Sequence, residues 1–548
     1  MSRAIDVPKP GEVTNATLLK RQTAQTPDAP FGIFPDSILT FAQVDSAATE
    51  VAKGLIALGV RPGDHVATLM PNHADWLAAY FGILYAGATI VALNARYKRQ
   101  ELAYTIGHSD ARLLITTDAI GDHVDFAALL SEVLPGLSGA ADPGSLKLDC
   151  APLLKSVVLF GSSVRPGFLS RADLAGLGCD IADEVVSDAI DAVAAEDAAA
   201  IIYTSGTTAN PKGCVLSHAG LQRSWYTFAE AVDLSKGDKV WMPMPFFHTG
   251  GIGPMTAILS RGAAFFTQAR LDPNEAVDLI EQHRVDHLYS GFPQLSLAVL
   301  DHPGYDRKRF DFVRSMLNVG PPAMQERIQG LLPDGAVLLN LFGMTEGSGI
   351  VTFTPPDSPL EVRAVTSGRP PAHTEVRIVD AESGEICEAG APGEIQFRGG
   401  GALKCYYKDL EATAAAILAD GWVRTGDRGK IDEAGWLHFL GRLKDMLKVG
   451  GENVAAAEIE FFLNQHPEVK MVQVIAGADD RMGEVPVAFV ERIPGGTVAA
   501  DELIGMCQGQ LARWKIPAEV IFVTEWPMSA TKVKKFELRE MLPKRFLR

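Results

Sequence analysis

Residues Ala198-Ala-Ala-Ile-Ile202 run directly into Tyr203-Thr-Ser-Gly-Thr-Thr-Ala-Asn-Pro-Lys-Gly213, and the reading of the fold turns on that junction. The first segment is an unbroken apolar run of the kind that forms a buried strand. The second gathers glycines, hydroxyl side chains and one lysine into a short loop. Ser217 then stands as an N-cap for a helix carrying Leu221, Trp225, Phe228 and Val232 on one face. A strand, a glycine–hydroxyl–lysine loop and a helix in that order are one way to hold phosphate. Backbone N–H groups and hydroxyls form a concave donor surface, and the lysine adds a point charge. No G-x-x-x-x-G-K-[ST] is present, so this is not the P-loop pattern.

Composition bounds what such a loop can serve. A chain of 548 residues is too long for one core, so two or more domains are expected. Hydrophobic content of 47% with 21% charged residues is that of a globular protein. The net charge of −17 argues against nucleic acid as the main partner and against a purely electrostatic hold on an anionic membrane. A phosphate-binding protein this acidic must concentrate its positive charge inside motifs. Cys150, Cys179, Cys214, Cys387, Cys405 and Cys507 are scattered with no C-x-x-C, which fits neither a disulfide framework nor a zinc site. Reduced thiols, no apolar leader and no run of membrane-spanning length lead us to expect a cytoplasmic protein without a transmembrane segment. A homodimer stays open.

The fold class expected is α/β. It consists of a large N-terminal domain of layered mixed or parallel sheets plus a β-rich subdomain, followed by a small mobile α+β C-terminal domain. Phe41 to Leu58 and Asp75 to Tyr85 have helical spacing; His65 to Met70, Ala88 to Leu93 and Val157 to Phe160 read as strands. Alternation resumes from Val240 to Leu341. From about Glu375 the texture changes to short strands at Val376–Val379, Glu394–Arg398 and Trp436–Leu440, the subdomain expected over about 375–441. Beyond it, Ala456 to Asn464, Val469 to Ala478 and Ala499 to Leu511 read as helix, strand and helix. The expected domains are 1–441 and 442–548, joined in Gly441-Arg-Leu-Lys-Asp445.

Further segments carry chemistry. Asn340-Leu-Phe-Gly-Met-Thr-Glu-Gly347 sets one carboxylate, Glu346, between two glycines. Gly421-Trp-Val-Arg-Thr-Gly-Asp427 offers Asp427, a carboxylate that can accept from two donors at once. Pro243-Met-Pro-Phe-Phe-His248-Thr-Gly-Gly251 sets a histidine among glycines, which either make room for a ligand or merely allow close packing. Taken alone, each has a plain reading: a strand-to-helix turn, a tight turn with a surface Asp–Arg pair, a satisfied core histidine.

Their order along the chain changes that. The loop at 203–213 resembles the Tyr-Thr-Ser-Gly-Thr-Thr-Gly-x-Pro-Lys-Gly signature of the adenylate-forming enzymes, with Ala209 where a glycine is usual. These are the acyl-CoA synthetases, firefly-type luciferases and adenylation domains of nonribosomal peptide synthetases. The resemblance runs from about residue 15 to the end and is nearest to bacterial acyl-CoA ligases. It implies ATP binding by Thr204, Ser205, Gly206, Thr207, Thr208 and Lys212, by Gly320 and Pro321 of Val319-Gly-Pro-Pro322, and by Asn340, Leu341, Phe342, Gly343, Met344 and Thr345. Phe342 would stack on the base, Asp427 and Arg442 would hold the ribose side, and Glu346 would bind Mg²⁺. His248 would border the substrate carboxylate, with Trp225, Phe247, Thr249, Gly250 and Ile350 as acyl-pocket walls. Lys444 matches the hinge, and Gly450, Gly451, Glu452 and Asn453 the coenzyme A approach. Pro527-Met-Ser-Ala-Thr-Lys532 resembles the segment of the adenylation lysine, assigned to Lys532 with Lys534 and Lys535 as rivals.

The resemblance implies a ligase that joins a carboxylic acid to AMP with release of pyrophosphate, then passes the acyl group to coenzyme A. Lys532, Glu346, His248 and Lys212 are its expected catalytic residues. Amino-acid activation is the nearest alternative, but those domains place an aspartate in the segment matching Phe246-Phe247-His248, and Pro243 to Gly253 has none. A non-catalytic nucleotide-binding protein of the same fold is the other.

Overall fold

The apolar run before the loop is a strand, Ala198–Thr204, but the element after the loop is not yet a helix. Lys212–Ser217 forms a second strand, antiparallel to the first, with Thr204 opposite Lys212 and Tyr203 opposite Gly213. The expected strand–loop–helix is therefore corrected to a hairpin followed by a helix. The reason lies in Cys214-Val-Leu216, a short apolar run buried on both faces, which pairs better than it coils. Gly213 permits the close pairing: a Cβ there would lie 3.0 Å from Ile201 Cγ2. Ser217 then caps the helix His218–Ala231 as expected, its side chain accepting from the Gly220 N–H. Leu221, Trp225 and Phe228 are fully buried, each contributing about 2–3 kcal/mol by leaving water; Val232 falls at the C-cap.

The computed structural model describes residues 7–204, 210–450, 452–528 and 533–547, apart from the side chains of Lys444, Glu452 and Asn453. The chain divides into two units, Met1–Glu375 with Phe397–Val423, and Val376–Gln396 with Arg424–Arg548.

The first unit holds two large sheets. One has eight strands in the order Cys405–Tyr406, Lys212–Ser217, Ala198–Thr204, Thr89–Ala92, His65–Leu69, Ala111–Thr117, Ser156–Phe160 and Leu169–Ser170. It is parallel from Ala198–Thr204 onward and antiparallel at the Cys405–Tyr406 end. The other has seven strands in the order Val337–Leu339, Ser315–Asn318, His287–Gly291, Lys239–Trp241, Ala264–Phe266, Pro30–Phe34 and Ser37–Thr40. Only its last pair is antiparallel. Helices Phe41–Ala57 and Ala74–Tyr85 form where the spacing predicts them, the first opened by a capping box of Thr40 and Gln43.

The β-rich sheet expected from the change in texture is ordered Thr374–Val379, Gly393–Gly399, Val423–Ile431, Leu437–Arg442. A further sheet, within the second unit, has Glu452–Ala455, Met446–Val449, Gly483–Arg492 and Val469–Asp479 in order, with Glu519–Phe522 joined to Gly483–Arg492. Helices Ala456–Leu463 and Ala500–Cys507 pack on it. Among the described residues no helix is long and apolar enough to cross a membrane.

Candidate active site

In the first unit the hairpin that begins at Ala198 leads to Glu346 through one tyrosine. Cys405–Tyr406 adds to the edge of the sheet beside Lys212–Ser217, which sets Tyr406 opposite Cys214. The Tyr406 hydroxyl donates to Glu346 Oε1 at 2.7 Å, and Lys212 Nζ lies 5.2 Å from the centre of the Tyr406 ring. Glu346 sits in the single turn Thr345–Gly347 between the strands Leu341–Met344 and Gly349–Phe353. Ser348 at φ 56° and Gly349 at φ 123° make the reversal, and the Leu403 N–H bonds the Glu346 carbonyl at 2.8 Å. Burial, then the Glu346 charge, pushes the Tyr406 phenol up, so it stays a donor. The same two causes, in the same order, push the fully buried Cys214 thiol well up. A neutral thiol is no nucleophile, which agrees with a reaction that needs no enzyme cysteine.

A Mg²⁺ ion is held by one or two carboxylates plus substrate phosphates rather than by a cage of protein ligands. Glu346 fits that role: it is half-buried and one oxygen is fixed by Tyr406. Ser205, Gly206, Thr207 and Thr208 lie outside the described residues. Asn340 is spent on the fold, its amide donating to Thr366 O and its Oδ1 accepting from the Leu341 N–H. Phe342 is buried, whereas Gly343 on the same strand is exposed. Gly320 and Pro321 precede the helix Pro322–Leu331, and the Val319 N–H bonds Gly291 O at 3.0 Å, which joins that loop to the end of the strand His287–Gly291.

The glycines after His248 separate into two kinds. A Cβ at Gly251 would lie 2.2 Å from Pro245 O, and one at Gly253 only 1.9 Å from Trp225 Nε1, so both serve close packing. Gly250 has looser surroundings, with Met244 Cε 3.1 Å and the Tyr289 hydroxyl 3.4 Å from a Cβ placed there. His248 is the N-cap residue of the helix Thr249–Arg261 and lies edge-on to Phe247 at 4.8 Å. Trp225 donates to Ser348 O at 2.8 Å, and Ser224 Oγ bonds both backbone groups of Ile350. Helix His218–Ala231, the His248 segment and the Glu346 hairpin thus meet around Trp225.

In the second unit Asp427 and Arg442 face each other across paired strands, with Arg442 Nε 2.8 Å from Asp427 Oδ1. Thr425-Gly426-Asp427 is part of the strand Val423–Ile431 rather than a tight turn. Gly426 takes φ +67° there, held by Glu394, which accepts from the Gly426 N–H and pairs with Arg424. Gly450 turns the hairpin of Met446–Val449 and Glu452–Ala455 at φ +60° and donates to Met482 O; Gly451 and Lys532 lie outside the described residues. Lys535 is committed elsewhere, to Glu460 Oε1 at 2.7 Å and Val474 O at 3.1 Å. Lys534 pairs with Glu537. The sequence alone does not single out Tyr406, Tyr289, Ser224 or Glu394. Tyr406-Tyr407 after a glycine-rich turn was the one local signal, and it names no partner.

The sequence profile of the AMP-binding enzyme family matches residues 19–407, and that of the AMP-binding enzyme C-terminal domain matches residues 458–533. The chain belongs to this adenylate-forming family. A Mycobacterium tuberculosis relative, 3-[(3aS,4S,7aS)-7a-methyl-1,5-dioxo-octahydro-1H-inden-4-yl]propanoyl:CoA ligase, is 35% identical over 95% of this chain and 98% of its own. The mitochondrial medium-chain acyl-CoA ligase ACSF2 of Mus musculus is 30% identical over 92% of this chain and 83% of its own. Among solved structures, the anthranilate CoA ligase AuaEII in complex with anthranoyl-AMP has a TM-score of 0.82 at 26% identity, covering 98% of both chains. On this family and these relatives the chain is an ATP-dependent, AMP-forming acid–thiol ligase.

Proposed function

We propose that Glu346, Lys212 and the loop between Thr204 and Lys212 receive the triphosphate, that Asp427 and Arg442 hold the ribose, and that Lys532 brings the substrate carboxylate to the α-phosphorus. The convergence of Lys212 and Glu346 on Tyr406 is the observation that carries this reading. Two anions must meet in the first half-reaction, so positioned cations are needed. A carboxylate oxygen of the acid bonds to the α-phosphorus as the bond to the bridging oxygen of pyrophosphate breaks. Glu346 would hold a Mg²⁺ ion arriving with ATP, which would supply charge neutralisation at the phosphates. In the second half-reaction the coenzyme A sulfur bonds to the acyl carbon, the thiol proton is lost and AMP leaves.

One wall cannot serve both steps, and the segment beyond 441 is read as turning about Lys444. That motion withdraws Lys532 and presents Gly450, Gly451, Glu452 and Asn453 to coenzyme A. The engagement of Lys535 with Glu460 supports Lys532 among the three lysines. The acid is read as a fatty, aromatic or ring-bearing one, since relatives named for medium-chain and for dioxo-indane acids match about equally. Six free cysteines support a cytoplasmic setting. Lys532→Ala is expected to abolish acyl-adenylate formation and to retain thioester formation from synthetic acyl-AMP; equal loss of both steps overturns the role given to Lys532.

A further inference from the structure

The strand His287–Gly291 carries a polar atom that the fold leaves unspent. It lies between Lys239–Trp241 and Ser315–Asn318, parallel to both. Leu288 turns into the helical layer with Ala276, Val277 and Ile280. Tyr289, one residue on, therefore turns to the opposite face. There its ring lies edge-on to Trp225 at 5.6 Å and to Phe228 at 6.0 Å.

Tyr289 is only 5% exposed, and its hydroxyl has no hydrogen-bond partner among the described residues. Phenylalanine would fill the same space without a polar atom at its tip, so the hydroxyl calls for an explanation. It aims at Gly250, where it lies 3.4 Å from the place a Cβ would take. Gly250 is the glycine whose absent side chain is not demanded by packing, and it lies two residues beyond His248. The Tyr289 ring packs against Trp225 and Phe228, and Met244 shares the space beside Gly250 with the hydroxyl; none of the three carries a charge. Burial pushes the phenol up, so it is a donor throughout the working pH range.

We propose that the Tyr289 hydroxyl donates a hydrogen bond to a neutral oxygen on the acyl part of the substrate, so that the preferred acid carries a carbonyl, hydroxyl or ether oxygen rather than a plain hydrocarbon chain. This rests on the ligase reading of the same site. A hydrocarbon placed against the hydroxyl strips it of water and returns nothing, which costs a factor of roughly ten to a hundred in affinity. A second carboxylate would need a cation, and Trp225, Phe228, Met244 and Gly250 are uncharged.

The test uses alkanoic and cycloalkyl-propanoic acids, each beside mono-oxo counterparts with the oxygen moved stepwise along the skeleton. Pyrophosphate release is measured for the full-length enzyme and for Tyr289→Phe. The wild type is expected to favour one oxo position over the plain acid by about tenfold or more in kcat/KM, chiefly through KM. In Tyr289→Phe that ratio falls to about one. A ratio unchanged by the substitution overturns the proposal, as does a wild type that prefers the plain acid at every position. Absence of pyrophosphate release with every acid overturns the ligase reading itself, and this proposal with it.

Discussion

In the role proposed for it, Glu346 must keep its carboxylate in one place, and the Tyr406 hydroxyl is the donor that fixes one of its oxygens. A hydrogen bond to a charged group contributes about 1.5–3 kcal/mol. Tyr406→Phe is therefore expected to slow acyl-adenylate formation by about tenfold or more, with a smaller effect on thioester formation from preformed acyl-AMP. Stopped-flow measurement of each half-reaction checks this, and an equal effect on both would remove Tyr406 from the adenylation step. Lys535 answers to different physics. Its ammonium and the Glu460 carboxylate are each less than a fifth exposed, so removing one partner strands the other. Lys535→Ala is expected to lower the unfolding free energy by about 1–3 kcal/mol in urea titration. Unchanged stability would free Lys535 to be the adenylation lysine.

Two elements around Trp225 carry consequences of their own. The helix Thr249–Arg261 meets the indole at Gly253, where a Cβ would fall 1.9 Å from Nε1. Gly253→Ala must displace the indole or the helix and is expected to cost about 1–3 kcal/mol, whereas Gly250→Ala, with 3.1 Å to a flexible Met244 terminus, should cost under about 1 kcal/mol. Denaturant midpoints of the two variants check the contrast, and equal midpoints would contradict the packing described.

The helix His218–Ala231 opens with a histidine buried at 2% exposure, whose Nδ1 accepts from the Asn15 N–H. Burial pushes His218 down from its ordinary 6.5 to about 4, so it is neutral in the folded protein. Between those values the unfolded chain binds a proton that the folded chain does not. The stabilisation is thus fully present above pH 6.5 and is lost as pH falls toward 4, by about 3 kcal/mol in all. His218→Asn, which keeps an acceptor, is expected to flatten unfolding free energy against pH in that window; an unaltered slope would show that His218 is not the group that titrates.

At the scale of the whole molecule, the α/β alternation and the β-rich segment were legible because apolar periodicity and turn residues act locally. Helices Phe41–Ala57 and Ala456–Leu463 fall within a residue or so of expectation for that reason. The strand Lys212–Ser217 was not legible. Six residues that pair only after the loop has closed look like the lead-in to the helix that Ser217 caps. The site divides in the same way. Glu346, Asp427 and Lys212 stand in short runs that advertise themselves. Tyr406 and Tyr289 matter through residues far away in sequence, brought near by sheet pairing, and no local pattern encodes that.

The chemistry is a mixed anhydride followed by transfer of the acyl group to sulfur. Exchange of labelled pyrophosphate into ATP, followed with a panel of acids in the absence and presence of coenzyme A, tests it most directly. Acid-dependent exchange without coenzyme A, drained into thioester and AMP when the thiol is added, is the result expected. Exchange that never depends on an acid, or thioester formed with release of ADP instead of AMP, would contradict the account.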